Sequence, residues 1–204
     1  MSSEENSEGF RGMAESEGTT SGWKMKQEAS LIWLDLEMTG LNSNQDVILE
    51  IATIITDDQL TIIEQGPDLV IHQPEIALAK MGEWVKEQHT KSGLIKKVLE
   101  SSVSIEQAEE QTLQFIKKHC KSNTGLLCGN SVWQDRNFLA KYMPRVIDYL
   151  YYRLIDVTAF KETIARWYPD NPHKEYIKKD THRALDDIKE SIEELRHYRT
   201  YFLK

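Results

Sequence analysis

"LIWLDLEMTG", residues 31–40, is the stretch on which the fold turns. Leu31, Ile32, Trp33, Leu34, Leu36 and Met38 put apolar bulk at both parities of an extended chain, the pattern of a strand buried on both faces. Asp35 and Glu37 interrupt it, two residues apart. Residues i and i+2 of a strand share a face, with Cα atoms roughly 6.5–7 Å apart. Two ionised carboxylates at that spacing repel by about 2–3 kcal/mol at an effective dielectric near 20, and each loses hydration on burial. A proton held at raised pKa offsets this; so does a basic partner, which the strand does not supply, or a divalent cation. A strand edge open to water needs no offset, but an exposed strand alternates polar with apolar residues and this one does not.

Outward from that strand the pattern stays extended. "VILEIATIITDD", Val47 to Asp58, is β-branched and bounded by acidic turn residues. "LTIIEQGPDLVIHQ" reads as a third strand, bent at Gly66-Pro67, and the three predict an antiparallel meander. From Pro74 to about Lys121 the period becomes helical. Ser104 is the expected cap of "SIEQAEEQTLQFIKKHC", with Ile105, Ala108, Leu113 and Ile116 on one face. "GLLCGN" reads as a short buried strand, "WQDRNFLAKYM" as a helix ended or bent by Pro144, "YRLIDV" as a strand, and "TAFKETIARWY" as a helix closed by Pro169. After the polar loop "PDNPHKEYIKKD", a last helix is expected from about Thr181, with Leu185, Ile188, Ile192 and Leu195 as its buried stripe. A meander followed by alternating helices and strands predicts an α/β domain, one mixed central sheet flanked by helices.

The chain has 204 residues, 40% hydrophobic and 28% charged, which suits one domain with a sizeable core. Residues 1–28 are rich in Glu, Ser and Gly and poor in branched apolar residues, so they are expected to be a disordered acidic tail before a domain at 29–204. That tail lacks the apolar core of a signal peptide and the Arg-rich, acid-poor composition of a mitochondrial presequence, and the cytoplasm is the expected location. No apolar run approaches the ~20 residues of a membrane helix. The only two cysteines, Cys120 and Cys128, belong to no CxxC or Cys/His cluster, so neither a disulfide framework nor a zinc site is expected. The net charge of −8 argues against coating long nucleic acid through phosphate charge alone. It leaves open a small anionic substrate held by a few basic groups and metal ions.

Further acids stand in "GNSVWQDRNFL" and "THRALDDIKESIEEL". Taken alone, Asp135 is a helix-start acid favoured by the dipole, as are Asp186 and Asp187, with His182 a solvated neighbour. The helical wheel puts Asp186 and Asp187 on opposite sides of the apolar stripe and does not choose between them.

Together, D-x-E on the first strand, a lone Asp about a hundred residues later and H-x4-D on a late helix resemble the DEDD-type 3′→5′ exonucleases of the ribonuclease H-like fold. More narrowly, "WLDLEMTGL", "EIATIITD", "GNSVWQDRNFLAKYMP", "YRLIDV" and "THRALDDIKESIEEL" resemble the oligoribonuclease family over essentially all of residues 31–204. The resemblance implies that Asp35, Glu37, Asp135 and Asp187 hold two divalent ions, Mg²⁺ or Mn²⁺, the H-x4-D spacing selecting Asp187. Hard oxygen donors suit these metals better than zinc, and two such ions can clamp the oxygens of an in-line displacement at phosphorus. His182 is implied as general base, a task that an imidazole pKa near 6.5 suits.

The resemblance also implies that Leu41 is a wedge between two bases and that Trp84 and His89 shape the pocket for the terminal nucleotide. Ser131, Arg153 and Thr158 are implied contacts of a dinucleotide 5′-phosphate, and Tyr152 is implied to reach into the neighbouring site of a homodimer. Where the family reads His-Tyr-Arg this chain has Tyr151-Tyr152-Arg153, so the phosphate contact of that His is not carried over. The expected activity is metal-dependent 3′→5′ hydrolysis of dinucleotides and very short RNA to 5′-mononucleotides. The rivals are a DNA-trimming or proofreading exonuclease with the same acids, which lacks support from a polymerase module or a long basic surface, and an inert binding module, which would be expected to have lost an acid or the histidine. A calcium-binding structural protein would need closely spaced ligands that are absent.

Overall fold

A computed structural model describes residues 30–178 and 182–203. The acidic tail expected at residues 1–28, and the start of the last helix expected at Thr181, lie outside the described residues. The elements run β1 (Leu31–Met38), β2 (Ile48–Thr56), β3 (Ile62–Val70), α1 (Glu75–Leu78), α2 (Glu83–Lys91), α3 (Leu94–Glu100), α4 (Ile105–His119), β4 (Leu126–Gly129), α5 (Val132–Tyr142), α6 (Pro144–Tyr149), β5 (Leu154–Asp156), α7 (Val157–Trp167) and α8 (Ala184–Tyr201). Five strands form one sheet in the order β3-β2-β1-β4-β5. β1, β2 and β3 make the antiparallel meander, and β4 and β5 continue it parallel to β1. This is the mixed sheet flanked by helices that the sequence predicts.

Both parities of β1 are buried because both faces of the sheet are covered. Ile32, Leu34 and Leu36 pack with Leu113, Phe115, Ile116, Phe138 and Leu139 of α4 and α5. Leu31 and Trp33, on the other face, pack with Val157 and Ile164 of α7 and Ile188, Ile192 and Leu195 of α8. Each fully buried Leu or Ile contributes on the order of 1.5–3 kcal/mol, so packing on the sheet, more than helix propensity, holds the layers together. A smaller cluster of Leu49, Leu78, Met81, Leu94 and Val98 seats α1–α3 near the start of β2.

Local chemistry fixes several boundaries. Ser104 caps α4 in a full capping box with Gln107. Pro144 does more than end α5: it opens α6 at its first turn, where its missing N–H costs nothing. β3 runs through Gly66-Pro67 without ending. The pairing with β2 slips between Ala52 and Ile54, a bulge that an edge strand tolerates, and Gly66 lies so close to the Phe115 ring that a Cβ would overlap it. β5 is shorter than "YRLIDV" suggests, leaving Tyr152 and Arg153 outside the sheet. Among the described residues no helix is long and apolar enough to cross a membrane.

Candidate active site

Asp35 and Glu37 continue the Leu31/Trp33 row of β1 toward its C-terminal end. There the strand's parallel neighbours β4 and β5 also end, leading into Asn130-Ser131 and into α7. In sheets of this kind ligands bind outside the carboxyl ends of the strands, where connections diverge. The apolar stripe of α8 covers Leu31 and Trp33, and its first turn brings Asp187 up to the acid pair. Carboxylate oxygens of Asp35, Glu37 and Asp187 lie within 4.8 Å of one another. Asp186 is exposed on the other side of the helix. Asp135, buried in the first turn of α5, is not part of that close group; its Oδ1 accepts the Leu36 N–H at 3.0 Å, which pins it to β1 between Asp35 and Glu37.

This grouping is electrostatically costly. Burial, then the charges of Asp135, Glu37 and Asp187, push Asp35 well above the ordinary carboxylate range. Burial, then Asp187 and Glu50, raises Glu37 to about 8. Burial raises Asp135 to about 8 against the backbone N–H bonds that favour its anion. The Lys178 and Arg183 charges counter only part of this, and the carboxylates fit hard divalent ions, which oxygen donors bind and which remove the repulsion.

The remaining predicted residues are carried by α2 and by the segments that flank β1, β4, β5 and the start of α8. His182, with φ of 51° in the left-handed region, meets the edge of Trp84 at 5.7 Å between ring centroids. His89 is buried, and its Nε2 lies 2.9 Å from the Met38 carbonyl, so Nε2 carries the proton; Nδ1 stands 3.8 Å from Glu37 Oε2, beyond hydrogen-bond range. Burial lowers the His89 pKa, keeping it neutral. Ser131 donates its N–H to Asp156 Oδ1 and Thr158 Oγ1, both at 2.9 Å, and its hydroxyl lies 3.1 Å from that of Thr158. Leu41 is 75% exposed on the loop after β1. α5 holds that loop through Gln134 to the Leu41 carbonyl, Lys141 to Ser43 and Tyr142 to Asp46. Tyr152 and Arg153 form an exposed pair, Nε to hydroxyl at 2.9 Å, with Tyr151 packed on Tyr152.

The family model for exonucleases matches residues 32–195. The chain is 51% identical over 180 residues to the oligoribonuclease of Pseudomonas aeruginosa, covering 88% of this chain and 99% of that protein. The chain belongs to the oligoribonuclease family. The Legionella pneumophila oligoribonuclease is 49% identical over 179 residues, covering 88% of this chain and 95% of the relative. Solved structures of other proteins share the fold. Exonuclease I from Methylocaldum szegediense superposes with a TM-score of 0.64 at 16% identity, over 86% of this chain but only 41% of that one. S. pombe Pop2p, in its Mg²⁺- and Mn²⁺-bound form, gives 0.62 at 13% identity over 85% and 84%. The chain is thus a 3′→5′ exoribonuclease with an acid cluster suited to divalent metal.

Two groups beside this oligoribonuclease-family site were not singled out by the sequence. Glu50 of β2 lies opposite Glu37 in the strand register and is fully buried against Arg183. A carboxylate inside the apolar run "VILEIATIIT" is the same signal that marks Asp35 and Glu37, and it points to Glu50 as well. Asn130 donates from Nδ2 to Ser191 and Glu194 and accepts from Thr158; a loop asparagine has no comparable signal.

Proposed function

We propose that this exoribonuclease completes RNA decay by cleaving dinucleotides and very short oligomers from the 3′ end to 5′-mononucleotides, using two Mg²⁺ or Mn²⁺ ions. The observation that carries it is the convergence of Asp35, Glu37 and Asp187 within 4.8 Å, with Asp135 pinned beside them, at the carboxyl ends of β1 and β4. Those four acids would hold the ions. When bound, the ions supply Lewis-acid polarisation of the scissile phosphoryl group and charge to stabilise the displacement. His182 takes the proton from the attacking water. The water oxygen bonds to phosphorus as the phosphorus–O3′ bond breaks; the departing 3′-oxygen takes a proton from solvent and leaves as a hydroxyl, while the released nucleotide keeps the phosphate on its 5′ side. Trp84 and His89 shape the terminal nucleotide's pocket, Leu41 enters between two bases, and base stacking there is worth roughly 1–3 kcal/mol per base. Ser131, Arg153 and Thr158 hold the 5′-phosphate, Arg153 by its planar donors. The buried free cysteines suit a reducing compartment, and the cytoplasm is the proposed setting.

End-labelled RNA and DNA of two to twenty nucleotides, with and without Mg²⁺, test this reading. Dinucleotides should be cut much faster than seven-mers, and chelation should stop release. Equal rates on twenty-mer DNA would overturn it in favour of a DNA-trimming exonuclease.

We further propose a homodimer in which Tyr152, 66% exposed here, closes the partner's site over the 5′-phosphate and leaves little room for a third nucleotide. Exposed aromatic residues favour interfaces. Mixing Tyr152→Ala and Asp35→Ala chains should restore activity toward about a quarter of wild type, since half the two-fold dimers are mixed and each has one complete site. No recovery in verified mixed dimers would show that Tyr152 does not serve the neighbouring site.

A further inference from the structure

We propose that Glu50 and Arg183 are a positioning pair that sets the start of α8 and, through it, the place of His182. The proposal rests on His182 being the base. Glu50 is fully buried on β2, directly across from Glu37, so its side chain leaves the sheet on the same face as the acid cluster. Its two oxygens each lie 3.1 Å from Arg183 Nε, and a terminal guanidinium nitrogen of Arg183 makes a further contact. One of the same oxygens accepts the Ala184 N–H at 3.3 Å.

That last bond is informative because α8 has no side-chain cap of its own. The opening N–H groups of a helix need acceptors. The Arg183 carbonyl takes those of Asp186 and Asp187, at 2.9 and 3.0 Å, and Glu50 reaches from β2 to take that of Ala184. The first turn of α8, with Asp187 on it, is thus registered against the strand next to β1. His182 stands immediately before the pinned Arg183, in a left-handed backbone conformation at φ 51°. A non-glycine residue persists there only when its surroundings over-determine it. Arg183 fixes one side, and the Trp84 edge meets the ring on the other.

An ion pair this buried is a weak device for stability, because apolar residues of similar volume serve as well or better. Its use here is geometric, and stability and activity can therefore be separated by substitution. Glu50→Leu/Arg183→Met replaces both charges with apolar bulk. In the full chain at saturating Mg²⁺, it should keep the wild-type melting temperature within a few degrees and keep KM for a dinucleotide within about threefold. Its kcat should fall roughly 10–100-fold, the loss expected for a reacting group displaced by about an ångström. In a His182→Ala background the same double substitution should cost clearly less than in the wild-type chain, since only what the pair does for Asp187 then remains.

A stable double variant with kcat within twofold of wild type would overturn the proposal, and so would an undiminished loss in the His182→Ala background. If the double variant does not fold, Glu50→Gln decides: it keeps size and one acceptor but no charge, and wild-type kcat in that variant would also overturn the proposal. Wild-type kcat in His182→Ala alone would instead overturn the role of His182, a result read without any variant of the pair.

Discussion

Glu37→Gln and Asp35→Asn should each bring nucleotide release below about one-thousandth of wild type, yet raise the melting temperature of the metal-free protein at pH 8. The two effects share one cause. Glu37 has a folded-state pKa of about 8 against an ordinary 4.5, chiefly through burial and then through the Asp187 and Glu50 charges. Below pH 4.5 both folded and unfolded chains carry the proton, and stability is unaffected. Between pH 4.5 and 8 the folded chain keeps a proton that the unfolded chain has shed, so stability falls as pH rises, and the loss is complete above 8. An amide has no proton to lose. For Glu37→Gln the gain at pH 8 should be on the order of 4 kcal/mol, roughly 8–16 °C for a chain of this size, and Asp35→Asn should move the same way.

Asp186→Asn, on the exposed side of α8, is the control and should change neither quantity much. Mg²⁺ should close much of that gap. At a hundredfold excess over its dissociation constant it adds about 2.7 kcal/mol to a protein that binds it only when folded, and it should do so for wild type but far less for the amide variants. Thermal scans in chelator and in Mg²⁺ at pH 5 and pH 8 measure all of this. Amide variants no more stable than wild type in chelator at pH 8 would mean that Glu37 and Asp35 are not held under the strain described.

Which parts of this molecule are legible in its sequence follows from how local each determinant is. β1 is legible because its apolar bulk at both parities has one reading, a strand covered on both sides, and α4 and α8 supply the covers. The capping box at Ser104 and the helix opened by Pro144 are equally local. Asp186 and Asp187 are not separable from periodicity, because they flank the stripe symmetrically; what turns Asp187 inward is the seating of the first turn of α8 against β2, a contact between residues about 130 positions apart. Glu50 is marked locally as a carboxylate in an apolar run, but its place beside the acids is hidden for the same reason. It faces Glu37 only because β1 and β2 pair in that register, and register is a property of two strands. The bulge that lets Pro67 stay inside β3 likewise depends on the partner strand. The roles of Leu41, Trp84 and Ser131 are implied by resemblance alone; they stand on three separate segments, the loop after β1, α2 and the turn before α5, and no local pattern ties these together.

His182→Ala should lower kcat by about 10²–10⁴, the usual contribution of a general acid–base group, while KM for a dinucleotide stays close to wild type. The split follows from geometry. The acids are carried by β1, α5 and α8, and Trp84 and His89, the residues proposed to shape the nucleotide pocket, by α2, so removing the imidazole leaves those surfaces in place. Trp84 loses only an edge contact at 5.7 Å. An imidazolium cannot accept a proton, so at saturating Mg²⁺ the wild-type kcat should decline as the medium is made acidic, and the residual rate of the variant should not show that decline. Added imidazole, small enough to enter the space vacated beside Trp84, should restore part of the rate, and more of it at pH 8, where more of the added base is neutral, than at pH 6. An unchanged kcat would remove His182 from proton transfer. A lowered kcat that imidazole cannot restore and whose acid decline persists would assign His182 to shaping the site, with water or a carboxylate taking the proton.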